Sequence, residues 1–327
     1  MHVSHKMNIS SKSLTFVIPC YNEQEALPET IKELVDIKNK LLQKSLINEK
    51  SKILLIDDGS SDKTWEIIEE GHIKDSTILG IKLSKNFGHQ NALLAGLLNV
   101  DTDFCISLDA DLQDDLNIIE EMIIKYSNGA EIVYAKRSSR KTDSFLKRVT
   151  AELYYKTLRK IGINIVENHA DFRLMSKRSV KILAEFKESN LFLRGIVPQI
   201  GLRTEVVEYV RKSRNAGISK YNISKMFSLA LNGITSFSAA PLHIIFVIGA
   251  IISSSSILMA IWALMVKLFS DNTVPGWAST VIPIYFIGGI QLLSIGILGI
   301  YISKIFDETK KRPRFIIEKF TNQVENE

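Results

Sequence analysis

Between residues 226 and 266 the chain carries no Lys, Arg, Asp or Glu, and between 272 and 303 it carries none again. Each stretch has room for an apolar helix of about 20 residues, the length that crosses a hydrocarbon core of about 30 Å. The chain therefore reads as a soluble domain followed by two membrane-spanning helices, near 240–266 and 281–302. The loop between them carries only Lys267 and Asp271, whereas Lys225 precedes the pair and Lys304, Lys310, Lys311, Arg312 and Arg314 follow it. Positive charge outside a helical pair places both termini in the cytoplasm. Gly288, Gly289, Gly296 and Gly299 suit close packing of the second helix on a neighbour.

The expected segments are a polar start over 1–13, a catalytic domain over 14–212, a juxtamembrane segment over 213–239, the helical pair with a short external loop over 240–303, and a basic cytoplasmic tail over 304–327. The first residues lead into an apolar run too short for a signal peptide. Cys20 and Cys105 fall in or beside expected strands and read as small buried residues, with no disulfide expected in a cytosol-facing domain. The net charge of +5 is mild, and no nucleic-acid partner is expected.

Within the soluble part, apolar runs at 14–18, 52–56, 78–83, 104–108 and 132–135 alternate with helical patterns at 25–45, 64–70, up to 98, and 116–126. That alternation implies a mostly parallel sheet with helices on both faces. Ligands of such sheets collect beyond the carboxyl ends of the strands. The first four strands end in polar clusters: Tyr21-Asn22-Glu23, Asp57-Asp58, Lys85-Asn86 and Asp109/Asp111. Turn chemistry accounts for any one of these, as with the Asp58-Gly59 pair, and less readily for all four.

The fourth run, F-C-I-S-L-D-A-D-L-Q-D-D from Phe104, sets Asp109, Asp111 and Gln113 at alternate positions. On an extended chain these share a face. Two carboxylates and an amide oxygen suit Mg²⁺ or Mn²⁺ with room left for a substrate's phosphates. The plainer alternative is an acidic loop in which Asp114 or Asp115 caps the next helix.

Together, V-I-P-C-Y-N-E from Val17, L-I-D-D-G-S-S-D-K-T from Leu55, L-S-K-N-F-G-H-Q from Leu83 and S-L-D-A-D-L-Q-D from Ser107 resemble the family 2 glycosyltransferases of GT-A type fold. The segments A-K-R-S-S-R-K (135–141), A-D-F-R-L-M-S (170–176), F-L-R-G (192–195), R-N-A-G-I-S-K-Y (214–221) and S-F-S-A-A-P-L (236–242) narrow the resemblance to the polyprenyl-phosphate glycosyltransferases. It runs from about residue 15 to 305.

The resemblance implies a GT-A α/β domain followed by two transmembrane helices, in a multi-pass protein of the inner (cytoplasmic) membrane. It implies a nucleotide-sugar site with Pro19, Tyr21 and Glu23 around the nucleoside and Asp57 on the base. Asp109, Asp111 and Gln113 would hold Mg²⁺ or Mn²⁺ on the diphosphate, and Lys85 and Asn86 lie on the same edge. Asp171 stands where the family keeps an aspartate facing sugar and acceptor; its alternative role is an ion pair with Arg173. Two departures are Thr142-Asp143, where close relatives often have Gly-Glu, and Ile218, where many have Glu.

The cations carry their own argument. Arg137 and Arg140 follow the fifth strand, and a guanidinium offers paired donors to phosphate oxygens. Lys141, Lys147 and Arg148 flank Phe145, Leu146, Val149, Leu153 and Leu158 at helical spacing, which fits either an amphipathic helix on an anionic membrane or an ordinary surface helix. Arg214, Ser219 and Lys220 lie beside the membrane as a second place for the acceptor phosphate. His89 and His169 lack zinc spacing and receive no role.

The expected reaction moves a hexose, with UDP-hexose the preferred donor, to a polyprenyl phosphate, with undecaprenyl phosphate the preferred acceptor. It is metal-dependent and inverting, with Asp109, Asp111, Asp171 and Arg137 as the catalytic set, and a homo-oligomer is an open possibility. A processive polysaccharide synthase would carry a Q-x-x-R-W-type motif and more spans, and neither is found. A non-catalytic scaffold with a relict domain would have lost Asp109, Asp111 or Arg137, and all three are present.

Overall fold

A computed structural model describes residues 12–137, 169–188, 193–209, 240–269 and 277–321. Its contacts divide the chain into two units: one of residues 1–156, 164–220 and 312–327, the other of 157–163 and 221–311.

The first unit is an α/β domain on an eight-stranded sheet. In chain order the strands are β1 (Leu14–Cys20), β2 (Lys52–Asp57), β3 (Ile78–Leu83), β4 (Phe104–Ser107), β5 (Ile132–Arg137), β6 (His169–Ser176), β7 (Thr204–Tyr209) and β8 (Ile317–Phe320). Across the sheet they run β7-β5-β6-β4-β1-β2-β3-β8. The pairs β1–β2, β1–β4, β2–β3 and β5–β7 are parallel, and β6 runs antiparallel to both β4 and β5. The sheet is thus mostly parallel, as the alternation of elements implies.

Helices α1 (Leu27–Gln43), α2 (Thr64–Lys74), α3 (His89–Leu98) and α4 (Ile119–Ser127) link the early strands. All of β1 is buried, so its side chains serve two cores. Leu14, Phe16 and Ile18 join Leu27, Leu34 and Leu41 of α1, Ile68 of α2 and Met122 of α4 in one cluster. Val17 faces the opposite way, toward α3. There, a Cβ on Gly96 would come within 2.5 Å of Val17 Cγ1 and of Ile56 Cδ1, so only glycine lets the helix lie this close. Pro28 sits in the first turn of α1, where its missing N–H costs nothing.

Three strands escape the sequence reading. β6 and β7 complete one end of the sheet. β8, from the segment read as a basic tail, pairs antiparallel with β3 at the other end. Glu318 pairs with Lys82 and Lys319 with Glu69. Arg314 donates from Nη2 to the carbonyl of Phe186 at 2.5 Å.

The second unit contains helices Ala240–Phe269 and Trp277–Thr309, of 30 and 33 residues. The segment Phe286–Thr309 is long and apolar enough to cross a membrane. Phe246, Trp262, Phe286 and Leu292 are among the large apolar side chains these helices expose. Among the described residues nothing lies within 4 Å of a Cβ placed on Gly288, Gly296 or Gly299. Residues 140–141, 142–143, 145–158, 214, 218, 219 and 220, on which several expectations fall, lie outside the described residues.

Candidate active site

The strand order reverses between β1 and β4: the chain steps outward through β2 and β3, then returns to the other side of β1. A crevice at such a switch point is where open α/β sheets take ligands. The loops after β1, β2, β3 and β4 all leave from that edge, so the four polar clusters share it.

After β1, Tyr21 is 48% exposed and Glu23 half-buried, with Pro19 buried behind them. Asn22 takes the left-handed conformation at φ 54°. Its N–H donates to Ser60 Oγ at 2.9 Å, and its Oδ1 accepts from the N–H of Ser61 at 2.9 Å. The first two loops are thereby tied together.

Asp57 ends β2 fully buried. One oxygen accepts from the N–H of Ser60 at 3.1 Å, while Oδ2 has no hydrogen-bond partner among the described residues. Burial pushes its carboxyl up from the ordinary value. Asp58, also buried, accepts from the N–H of Phe87 at 2.8 Å and of Gly88 at 2.9 Å, which fixes the loop after β3. Gly59 makes that approach possible: its φ is +67°, and a Cβ there would lie 2.3 Å from the carbonyl carbon of Lys85. Lys85 and Asn86 stand exposed on this loop, with the Lys85 ammonium 5.2 Å from the centre of the Phe87 ring.

The acidic run departs from its expected geometry. β4 stops at Ser107, and the N–H of Leu112 reaches back to the carbonyl of Asp109 at 3.3 Å, with Leu112 at φ 42°. Asp109, Asp111 and Gln113 therefore lie around a turn and do not alternate on an extended chain. The cause is local: a left-handed residue at 112 folds the segment back before the period of two can continue. Asp115 performs the capping role, accepting from the N–H of Asn117 at 3.1 Å.

Carboxylates crowd this turn. Burial raises the Asp109 carboxyl, and the charges of Asp171, Asp114 and Asp111 push in the same direction. Glu23 is raised by burial and then by Asp111, Asp62 and Asp109. Such a cluster is relieved by a cation. Among the described residues no three His, Cys, Asp or Glu side chains are grouped so as to hold a metal ion. Asp109, Asp111 and Gln113 bring oxygen donors of the type a hard divalent ion takes, with the rest of its shell left to substrate or water oxygens.

Asp171 lies on β6, 3% exposed, and is saturated with donors. Arg173 Nη2 donates at 2.5 Å, Arg194 Nη2 at 3.0 Å and Nε at 3.3 Å, and Gln90 Nε2 at 3.2 Å, while His89 Nε2 stands 3.4 Å away. Although burial opposes it, these partners hold the carboxyl well below its ordinary value. A carboxylate so held is a poor proton acceptor and a good anchor. The ion-pair alternative for Asp171 is the one the geometry displays.

His89, given no role from sequence, sits at the start of α3 between Asp171 and Asp109, 3.6 Å from the latter. Its imidazole is raised, chiefly by the hydrogen bond with Asp171. Its only sequence signal was its place directly after the N-F-G of the third loop. Arg194 carried a signal in the F-L-R-G segment.

Arg137, expected to face a lipid phosphate, is already engaged. Its Nη2 donates to Asp114 Oδ1 at 3.2 Å and its Nε to Tyr209 Oη at 3.1 Å. No sequence feature singled out Tyr209.

A family model described as Glycosyl transferase family 2 matches residues 15–183. "Uncharacterized glycosyltransferase YkoT" of Bacillus subtilis (strain 168) is 49% identical over 95% of this chain and 93% of its own length. The "SfII prophage-derived bactoprenol glucosyl transferase" of Shigella flexneri is 43% identical over 94% of this chain and 97% of its own. Among solved structures, the mannosyl-3-phosphoglycerate synthase from Rubrobacter xylanophilus is similar at a TM-score of 0.46 and 12% identity, covering 83% of this chain and 80% of that one. With the model match spanning half of the residues and relatives aligned nearly end to end, this chain is a glycosyltransferase and belongs to glycosyl transferase family 2.

Proposed function

We propose that this chain transfers a hexose from a nucleotide sugar, preferably a UDP-hexose, to a polyprenyl phosphate such as undecaprenyl phosphate, at the cytoplasmic face of a membrane. The observation that carries this reading is the 43% identity to a bactoprenol glucosyl transferase, sustained over 94% of the chain. That span includes the helical segments as well as the site.

The site chemistry supports it. Asp57 Oδ2, buried and without a partner among the described residues, suits an N–H of the nucleotide base. Tyr21 and Glu23 border the place where the nucleoside would lie, and Lys85 and Asn86 stand on the same edge. Asp109, Asp111 and Gln113 would hold Mg²⁺ or Mn²⁺, which supplies charge neutralisation to the departing nucleoside diphosphate.

The acceptor needs little activation. A phosphomonoester has a second pKa of about 6, so a polyprenyl phosphate is largely a dianion at neutral pH. No strong general base is required, which agrees with an Asp171 locked among donors. The protein's task is to hold two anions together in line. Arg137 and Arg140, and near the membrane Arg214, Ser219 and Lys220, are the proposed contacts for the lipid phosphate. Direct displacement at the anomeric carbon inverts its configuration.

The sheet bears on the proposed membrane topology. β7 and β8 belong to the same domain, so the intervening chain leaves and returns on one side of any membrane. An even number of crossings satisfies that, and a single one does not. Two spans, within Ala240–Phe269 and Trp277–Thr309, are the reading this supports. Ser270→Cys is then expected to react with an impermeant thiol reagent from outside the cell and Arg312→Cys to be protected. Native Cys20 and Cys105 are buried and give little background. The reverse pattern would put the site on the wrong side for cytosolic nucleotide sugars.

The direct test incubates purified protein with undecaprenyl phosphate and a panel of radiolabelled nucleotide sugars, followed by extraction into organic solvent. Label in the organic phase from one donor is the expected result. Label only in a water-soluble or polymeric product overturns the acceptor assignment.

A further inference from the structure

We infer that Tyr209 and Asp114 are positioning residues that hold the guanidinium of Arg137 ready for the acceptor phosphate. The inference rests on the reading of Arg137 under Proposed function.

Three elements meet here. Asp114 belongs to the turn after β4, Arg137 ends β5 and Tyr209 ends β7, and the parallel β5–β7 register sets Arg137 directly beside Tyr209. Tyr209 Oη donates to Asp114 Oδ1 at 2.5 Å and accepts from Arg137 Nε at 3.1 Å. Asp114 Oδ1 also accepts from Arg137 Nη2 at 3.2 Å. Each proton thus has a direction, and the hydroxyl serves both partners at once.

Burial makes the arrangement stiff. Tyr209 is 4% and Asp114 5% exposed, while the Arg137 side chain remains 29% exposed. The Tyr209 ring is braced edge-on against Phe172 of β6, with centroids 6.1 Å apart. A guanidinium has five N–H donors. The clamp uses one on Nε and one on Nη2, so among the described residues further donors remain for an incoming anion.

The clamp also separates charges. An arginine beside the acidic turn could pair with Asp109 or Asp111 and occupy oxygens that the cation needs. Pairing Arg137 with the buried Asp114 keeps its guanidinium from those two aspartates. It also freezes a long side chain whose ordering would otherwise oppose acceptor binding.

The test uses full-length protein in detergent with UDP-glucose and undecaprenyl phosphate. Tyr209→Phe keeps the ring and removes only the hydroxyl. The expected result is a rise of about tenfold in KM for the lipid, the loss that goes with one hydrogen bond to a charged group. KM for UDP-glucose and the calorimetric affinity for UDP should stay within about twofold. Asp114→Asn, which keeps the shape, should move the same constant in the same direction. In an Arg137→Lys background, Tyr209→Phe should add little, because the two residues act as one unit.

An unchanged lipid KM in both Tyr209→Phe and Asp114→Asn overturns the inference. So does an equal rise in both substrates' KM, or full additivity with Arg137→Lys, either of which marks a merely structural role. Failure of the acceptor reading itself shows in the wild type, which would then label no lipid at all.

Discussion

Asp171→Ala is expected to lower the thermal midpoint of the catalytic domain by roughly 10 °C. Asp171 and Arg173 are 3% and 1% exposed, and the carboxylate is the guanidinium's only hydrogen-bond partner among the described residues, since Arg173 Nε and Nη1 have none. Removing one member of a buried pair leaves the other charge uncompensated, at a cost of about 3–5 kcal/mol. For a domain near 200 residues each kcal/mol shifts the midpoint by roughly 2–4 °C. The loss is a large share of a total stability of about 5–15 kcal/mol.

The pH dependence has a definite sign. The folded carboxyl is held below its ordinary value, so the pair contributes in full above the unfolded pKa of about 3.9, and the contribution is lost as pH falls through the folded value. The gap between wild type and variant should be widest near about pH 5, narrow as pH rises through the His89 imidazole that Asp171 raises, and close in acid. A midpoint unchanged at pH 7 in differential scanning fluorimetry would sink the argument.

Asp111→Asn should behave in the opposite manner, with normal stability and little turnover. Asp111 is exposed on the turn after β4 and stands beside Glu23, whose carboxyl it helps to raise. Losing an exposed carboxylate changes stability by less than about 0.5 kcal/mol. If Asp111 ligates a cation that neutralises the leaving diphosphate, its loss forfeits several kcal/mol in the transition state, hence about 10²–10³-fold in kcat. EDTA should reproduce the defect in the wild type, and Mn²⁺ or Mg²⁺ should restore it. Turnover that survives both the substitution and the chelator would remove the metal from the mechanism.

The first five strands were legible because each is an apolar run flanked by turn residues. β6 was not, because D-F-R carries two charges into the middle of the sheet, and only the fold reveals that Asp171 and Arg173 neutralise each other. β7 and β8 are edge strands, T-E-V-V-E-Y and I-E-K-F, in which glutamates and a lysine interrupt the apolar pattern. At the site, residue types pointed to oxygens for a cation and to the shared edge. They did not give the turn at Leu112, whose left-handed backbone no composition announces. Tyr209 was invisible for a related reason, since its significance depends on a register with β5 that no local pattern encodes.

The pairing of β8 with β3 sets a timetable for biosynthesis. Residues 317–320 are translated only after both long apolar helices, so during synthesis the sheet is open and its β3 edge waits for its last partner. Until then that edge presents unpaired N–H and C=O groups, the kind of template that recruits stray strands. Synthesis of both long helices thus precedes completion of the catalytic domain. A chain interrupted between the helices and β8 would be an aggregation hazard rather than a soluble enzyme.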